Sequence, residues 1–246
     1  MPFTNKPRCL WLEELSTIEA AEAAKNGTVI IFPLGSMEEH GSHLPLGTDC
    51  IQPEYVAQEV AKKTGCLIAP PFRYGICNAT RNFPGTLTIK FDTLHRLATD
   101  ILSELVRSGF YKIIVMSGHA GNSHMVALRL ASQEIVNQND GKVRIMVLSD
   151  FDFAEEVEDK YAAPGDGHAG TLETARIMAI RPDLVKGIGK AEKWHMPRFE
   201  VLAHPEVAFP GGVNGDPVAA SAEKGRKINE YIVEQLVELV KELERK

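Results

Sequence analysis

Short apolar runs of strand length alternate along this chain with longer stretches of helical spacing. Thr28-Val-Ile-Ile-Phe-Pro-Leu34 is a β-branched, apolar run that stops at Gly35-Ser36, which predicts a buried strand. Gln52 to Lys63 has helical spacing with Pro53 near its first turn, and it leads to a second apolar run, Cys66-Leu-Ile-Ala69, closed by Pro70-Pro71. The order recurs. Asp92 caps an amphipathic helix reaching Ser108, Lys112 to Met116 makes a third strand, and Ser117-Gly-His-Ala-Gly-Asn122 precedes a helix from about Ser123 to Asn137. Val143 to Leu148 makes a fourth strand. Strands alternating with helices of this length predict an α/β fold with a mostly parallel sheet and helices on both faces. Ligands of such sheets bind beyond the carboxyl ends of the strands, where the polar loops after Leu34 and Met116 lie.

From Phe151 to Pro217 the sequence is richer in Gly, Pro and charge, with a helix predicted from about Leu172 to Ile180. A closing helix runs from Ala219 to Lys246, with Ile228, Ile232, Leu236, Leu239 and Val240 on one apolar stripe.

Composition narrows the function. The 246 residues, 44% hydrophobic and 24% charged, suffice for one domain spanning 1–246. Net charge is −6 and the 27 basic residues are scattered, which argues against nucleic acid and for a small-molecule partner. Cys9, Cys50, Cys66 and Cys77 form no CxxC pair and no disulfide framework, which fits a reducing cytoplasm. The amino terminus lacks an apolar signal region, and no apolar run approaches the roughly 20 residues of a membrane helix, so no membrane partner is expected. No GxGxxG or P-loop follows the first strand, which weakens a nucleotide-binding reading.

Three clusters carry candidate chemistry. Glu38-Glu-His40-Gly-Ser-His43-Leu-Pro-Leu-Gly-Thr-Asp49 sets carboxylates and imidazoles on a twelve-residue loop that Gly41, Pro45 and Gly47 hold to a tight path, which suits a metal. His119 follows another strand end between Gly118 and Gly121, and a parallel sheet brings the two loops together. In Asp166-Gly-His168-Ala-Gly-Thr-Leu-Glu173, His168 and Glu173 can both face inward, and either could ligate or act as acid–base, while Asp166 is as well suited to cap the helix. A divalent metal polarises an amide carbonyl and lowers the pKa of its water toward neutrality. His and carboxylate ligands suit Zn²⁺, Mn²⁺ or Fe²⁺ without choosing among them. His43 is read as a supporting hydrogen-bonding residue, Cys50 as a small buried hydrophobe, and His124 as a helix-surface residue that could face substrate.

The segments PLGSMEEHGSHLPLGTD, FPGTLTI at Phe83 to Ile89, SGHAGN and HAGTLETARIMAIRPDLV resemble the creatininase (creatinine amidohydrolase) family from about Leu10 to Gly225. The resemblance implies a three-layer α/β/α hydrolase of linear or cyclic amides, with two divalent metals per chain (Zn, Mn or Fe), commonly a homo-oligomer and a hexamer. Carried across by position, Glu38 and His119 resemble ligands of one metal, His40 a ligand of the other, Asp49 the bridge, and His168 the proton-transfer histidine.

Two departures matter. Creatininase takes a Glu for its second metal where this chain has Gly121, so Glu173 is expected to replace it. Creatininase also brings tryptophans to its pocket from near Phe153 and from just before the catalytic His, whereas the tryptophans here are Trp11 and Trp194. That counts against creatinine itself. The Gly-Gly form of the His119 loop resembles the wider family, including an archaeal formamide hydrolase of a ribosylaminopyrimidine phosphate in flavin and deazaflavin synthesis and the peptidase of a peptide-derived redox cofactor. Arg81 would suit a phosphate. The expected reaction is attack of a metal-activated water, held by Asp49, on a non-peptide amide, with His168 protonating the leaving nitrogen. A metal-binding scaffold that has lost turnover is the alternative of a different class.

Overall fold

The computed structural model describes residues 10–245, so Cys9 and the extreme amino terminus lie outside the described residues. Four strands, β1 (Ile30–Leu34), β2 (Leu67–Ile68), β3 (Lys112–Ser117) and β4 (Arg144–Ser149), form one sheet in the order β2-β1-β3-β4 with every pair parallel. Among the described residues eight α-helices accompany it: α1 (Thr17–Lys25), α2 (Thr48–Thr64), α3 (Phe91–Arg107), α4 (Asn122–Gln138), α5 (Asp150–Glu155), α6 (Glu158–Tyr161), α7 (Thr171–Ile180) and α8 (Ala222–Glu244).

Alternation along the strands builds three layers. Ile31, Ile114 and Met116 pack with α2, α5, α7 and α8, whereas Ile30, Phe32 and Val115 pack with α3 and α4 on the opposite face. The stripe on α8 meets the first of these layers. Its Ile228, Ile232, Leu236 and Val240 are fully buried, each worth about 1.5–3 kcal/mol relative to exposure. Leu239 sits at the margin of the same cluster. Arg176 of α7 is also fully buried, and its guanidinium pairs with Asp150 of α5 and donates through Nε to Asn229 of α8 at 2.9 Å. These contacts tie three helices together beneath the carboxyl end of the sheet. Among the described residues no helix is long and apolar enough to cross a membrane.

The strand order reverses between β1 and β3. β1 runs through α2 to β2 on one side, and β3 runs through α4 to β4 on the other, from opposite faces. The crevice at this switch point is where parallel sheets bind ligands. Leu34 pairs with Ser117, so the loops after the two strands leave the sheet side by side.

Two boundaries depart from the sequence reading. Asp92 does not cap α3; Lys90 occupies that position and Asp92 lies in the first turn. Helix α2 begins at Thr48, four residues before Gln52, which places Asp49 on a helix rather than on a loop. Pro53 has no N–H to donate to the carbonyl four residues back, which is that of Asp49. This carbonyl is pressed instead toward the two strand ends. A methyl group at Gly35 or Gly118 would meet its oxygen at 2.2 or 2.0 Å. The two glycines therefore let α2 start hard against the sheet and deliver Asp49 between the loops.

Candidate metal centre

Glu38 and His40 stand on the β1 loop, which closes on itself through Glu38 N–H donating to the Leu46 carbonyl at 3.0 Å. His119 stands on the β3 loop and Asp49 on the first turn of α2. All four are buried.

Backbone carbonyls fix both imidazoles. His40 Nδ1 lies 3.1 Å from the Glu38 carbonyl and His119 Nε2 lies 3.0 Å from the Ile76 carbonyl, and a carbonyl can only accept, so these nitrogens carry the hydrogens. The opposite nitrogens are left with lone pairs, and each faces carboxylate oxygen. His40 Nε2 is 3.0 Å from Asp49 Oδ1 and 3.6 Å from Glu173 Oε2. His119 Nδ1 is 2.8 Å from Glu38 Oε2 and 3.1 Å from Asp49 Oδ2. Asp49 thus offers one oxygen to each imidazole, and two donor groups share it: Glu38, His119 and Asp49 on one side, His40, Asp49 and Glu173 on the other.

Lone pairs opposed to carboxylates in a buried site repel unless a cation lies between them. Protons answer that demand in the metal-free chain. Burial pulls His40 and His119 down, but Asp49 and Glu173 lift His40, and Glu38 and Asp49 lift His119, well above the ordinary histidine range. Burial raises Asp49, yet the two imidazoles hold it well below the usual carboxylate range. Among the described residues no lysine or arginine pairs with these carboxylates. His40 Nε2 is itself buried without an aligned hydrogen-bond partner. The donor set therefore fits two divalent cations, with each His held by a backbone carbonyl as metal-ligating histidines are. Hydroxyls complete the set: Ser36 donates to Asp49 Oδ2 at 2.6 Å, and Thr80 donates to Glu38 Oε1.

Glu173 reaches the second group from the first turn of α7, where its Oε2 also accepts from Ala169 N–H at 2.6 Å. Gly121, which faces no such group, lies against His119; a methyl there would meet Nε2 at 2.5 Å. His168 lies over His40 with ring centres 4.3 Å apart. Its Nε2 donates to the Glu39 carbonyl at 2.8 Å and lies 3.2 Å from Glu39 Oε1, which leaves Nδ1 to take up or release a proton. Burial and the charge on His40 pull His168 down, and the bond to Glu39 with the nearby carboxylates lifts it above its ordinary value.

Of the remaining candidates, Asp166, His43 and Cys50 take places the sequence suggests, and His124 and Arg81 do not. Asp166 caps α7, accepting from Thr171 N–H at 2.8 Å and Leu172 N–H at 2.9 Å. His43 is 2.8 Å from Thr174 Oγ1 and joins the β1 loop to α7 as a support. His124 is not on a solvated helix surface. It is fully buried, accepting from Ile76 N–H at 3.3 Å with its other nitrogen 3.1 Å from Ser117 Oγ, because the first turn of α4 tucks under the His119 loop. Burial and neighbouring His119 push it down to about 3. Arg81 is exposed and does not line the central cavity. Cys50 is indeed a buried small residue, with its thiol turned to the Ser36 carbonyl at 3.4 Å.

A cavity of about 380 Å³ opens over these residues, bounded by Glu38, His119, His168 and Glu173 and closed at one side by Trp194. This size lies within the range of small-molecule sites. Trp194 stacks on Phe209 with ring centres 4.3 Å apart and stands 5.8 Å from His168. Its Nε1 is buried without a partner. An aromatic wall therefore exists, supplied by a segment different from those anticipated.

The sequence motifs and this geometry have counterparts. The family model for creatininase, described as creatinine amidohydrolase, matches residues 13–240. The chain is 28% identical to the creatinine amidohydrolase of Pseudomonas putida, over 90% of this chain and 92% of the relative. It is 31% identical to the mycofactocin precursor peptide peptidase of Mycobacterium ulcerans, over 92% of this chain and 90% of the relative. A solved creatininase variant of zinc–zinc type superposes with a TM-score of 0.86 at 28% identity, covering 96% of this chain and 98% of that one.

Proposed function

The chain belongs to the creatininase family, and we propose that it hydrolyses a small, planar, uncharged amide, a linear formamide or a cyclic amide, at a two-metal centre. The carrying observation is the pair of imidazole lone pairs, on His40 and His119, that face opposite oxygens of Asp49. Glu38, His119 and Asp49 would hold one cation, and His40, Asp49 and Glu173 the other. The zinc–zinc form of the related creatininase supports zinc as one occupant, with manganese and iron compatible with the same donors.

When bound, such cations supply a water activated at neutral pH and polarise the amide carbonyl. The chain's own residues do the rest. Asp49 joins the two donor groups by facing one imidazole with each of its oxygens. His168, with Nε2–H held by Glu39, delivers a proton from Nδ1 to the leaving nitrogen. Trp194 offers a flat face to a planar amide and a buried Nε1–H to a carbonyl oxygen. Among the described residues that line the cavity there is no lysine or arginine, and with Arg81 outside it the neutral amide is favoured over a phosphorylated ribosylaminopyrimidine.

The same proposal takes the chain as one domain, cytoplasmic, and assembled as a homo-oligomer. Free thiols at Cys50 and Cys77 support a reducing compartment. Phe199, Val201 and Val207, at 86, 97 and 75% exposed, are apolar side chains an assembly would cover.

The test is a panel of formamides, cyclic amides, a phosphorylated formamide and a short peptide, each with and without chelator. Chelator-sensitive turnover of a neutral amide is expected, with His168→Ala slower by about 10²–10⁴-fold at unchanged metal content. Turnover confined to the peptide or to the phosphorylated substrate would overturn the substrate class.

A further inference from the structure

We infer that Cys77 is a fourth donor to the first metal, which makes that site sulfur-containing and chemically unlike the second. A ligand atom of Cys77, one of Glu38 and one of His119 all lie within 4.8 Å of one another. Cys77 is 1% exposed yet borders the cavity. Cys50 offers no such geometry, since its thiol is turned to the Ser36 carbonyl, and Cys66 belongs to the apolar cluster around α2 and α8.

The loop that carries Cys77 is built around the first metal's ligands. Ile76 presents its carbonyl to His119 Nε2 at 3.0 Å, Cys77 N–H donates to Thr88 Oγ1 at 2.9 Å, and Thr80 donates to Glu38. Cys77 therefore sits between two residues that already grip His119 and Glu38, and its placement is fixed by theirs. With Asp49, whose Oδ2 lies 3.1 Å from His119 Nδ1, the residues would offer N, O, O and S donors, all of them atom types that bind zinc. The second group, His40, Asp49 and Glu173, contains no sulfur. Coordination converts the Cys77 thiol to a thiolate, with its proton released to solvent as the metal–sulfur bond forms. A soft thiolate favours Zn²⁺ over Mn²⁺ or Mg²⁺, so the first site is the zinc-selective one.

The inference rests on the two-metal reading, and cobalt separates the two. Metal-free protein is titrated anaerobically with Co²⁺, and the near-ultraviolet sulfur-to-cobalt charge-transfer band is read beside the visible cobalt bands. The charge-transfer band is expected in the native chain and in Cys50→Ser, and its complete loss in Cys77→Ser, which still binds cobalt. The same variant loses about tenfold or more in zinc affinity while its manganese affinity holds. Cobalt bound in the native chain without a charge-transfer band, or a band that survives in Cys77→Ser, overturns the role of Cys77 alone. No cobalt bound by the native chain overturns the metal centre together with it.

Discussion

Glu173 Oε2 lies 3.6 Å from His40 Nε2, although the two residues are 133 positions apart and come from opposite ends of the central sheet's sequence. The distance supports α7 as the source of a carboxylate that the His119 loop cannot supply. Gly121 lies against the His119 ring, so a longer side chain there and the present His119 orientation exclude each other. The two features belong together: a glycine that leaves His119 bonded to Ile76, and a carboxylate from the next layer that lies beside His40.

Gly121→Ala follows directly. Its methyl displaces the His119 ring from the Ile76 carbonyl, and metal affinity should fall by about 10–100-fold while the fold persists. Isothermal titration of the metal-free variant measures this. Native affinity in Gly121→Ala would mean that the His119–Ile76 bond does not position the ligand.

The sequence singles out Glu38, His40, Asp49 and His119 because strand ends and the switch point of a parallel sheet concentrate polar residues there, and the structure brings the four side chains together. The sequence does not reveal Glu39, Ser36, Thr80, Cys77 or Trp194. Each acts through a tertiary contact with no local periodicity: Trp194 stacks on Phe209 from an irregular segment, and Thr80 reaches Glu38 across 42 positions. The sequence places the start of α2 too late because Pro53 looks like a first-turn proline, whereas it lies in the second turn of an unbroken helix and leaves the Asp49 carbonyl without its N–H. The sequence suggests a solvated His124 because a first helical turn is usually exposed, whereas here that turn packs against Ser117 and His119. The short helices α5 and α6 carry too few residues for a helical rhythm to emerge.

His124 makes a pH prediction. Its pKa is about 3 in the folded chain and near 6.5 unfolded, so the unfolded chain binds the extra proton first as pH falls. The stability this residue contributes is present above about pH 6.5 and is lost progressively as pH drops toward 3. Imidazole nuclear magnetic resonance between pH 7 and 5 should show His124 unprotonated throughout. A midpoint near 6.5 contradicts its burial against His119.

The Arg176–Asp150 pair beneath α7 has no exposure on either side. Removing one partner strands a buried charge, so Arg176→Leu should cost about 3–5 kcal/mol in urea unfolding. The double variant Arg176→Leu with Asp150→Leu should cost less than Arg176→Leu alone. Equal or greater loss in the double variant would show that the pair is valued for packing rather than for mutual charge.

The central claim is tested most directly by counting metal in the purified chain, prepared without added metal, beside Glu173→Gln. Two divalent ions per chain in the native protein and close to one in the folded variant are expected, since Glu173→Gln removes a charged donor from the His40 group and leaves Glu38, His119 and Asp49 in place. A native chain that retains no metal, or a Glu173→Gln protein that keeps both ions, contradicts the account.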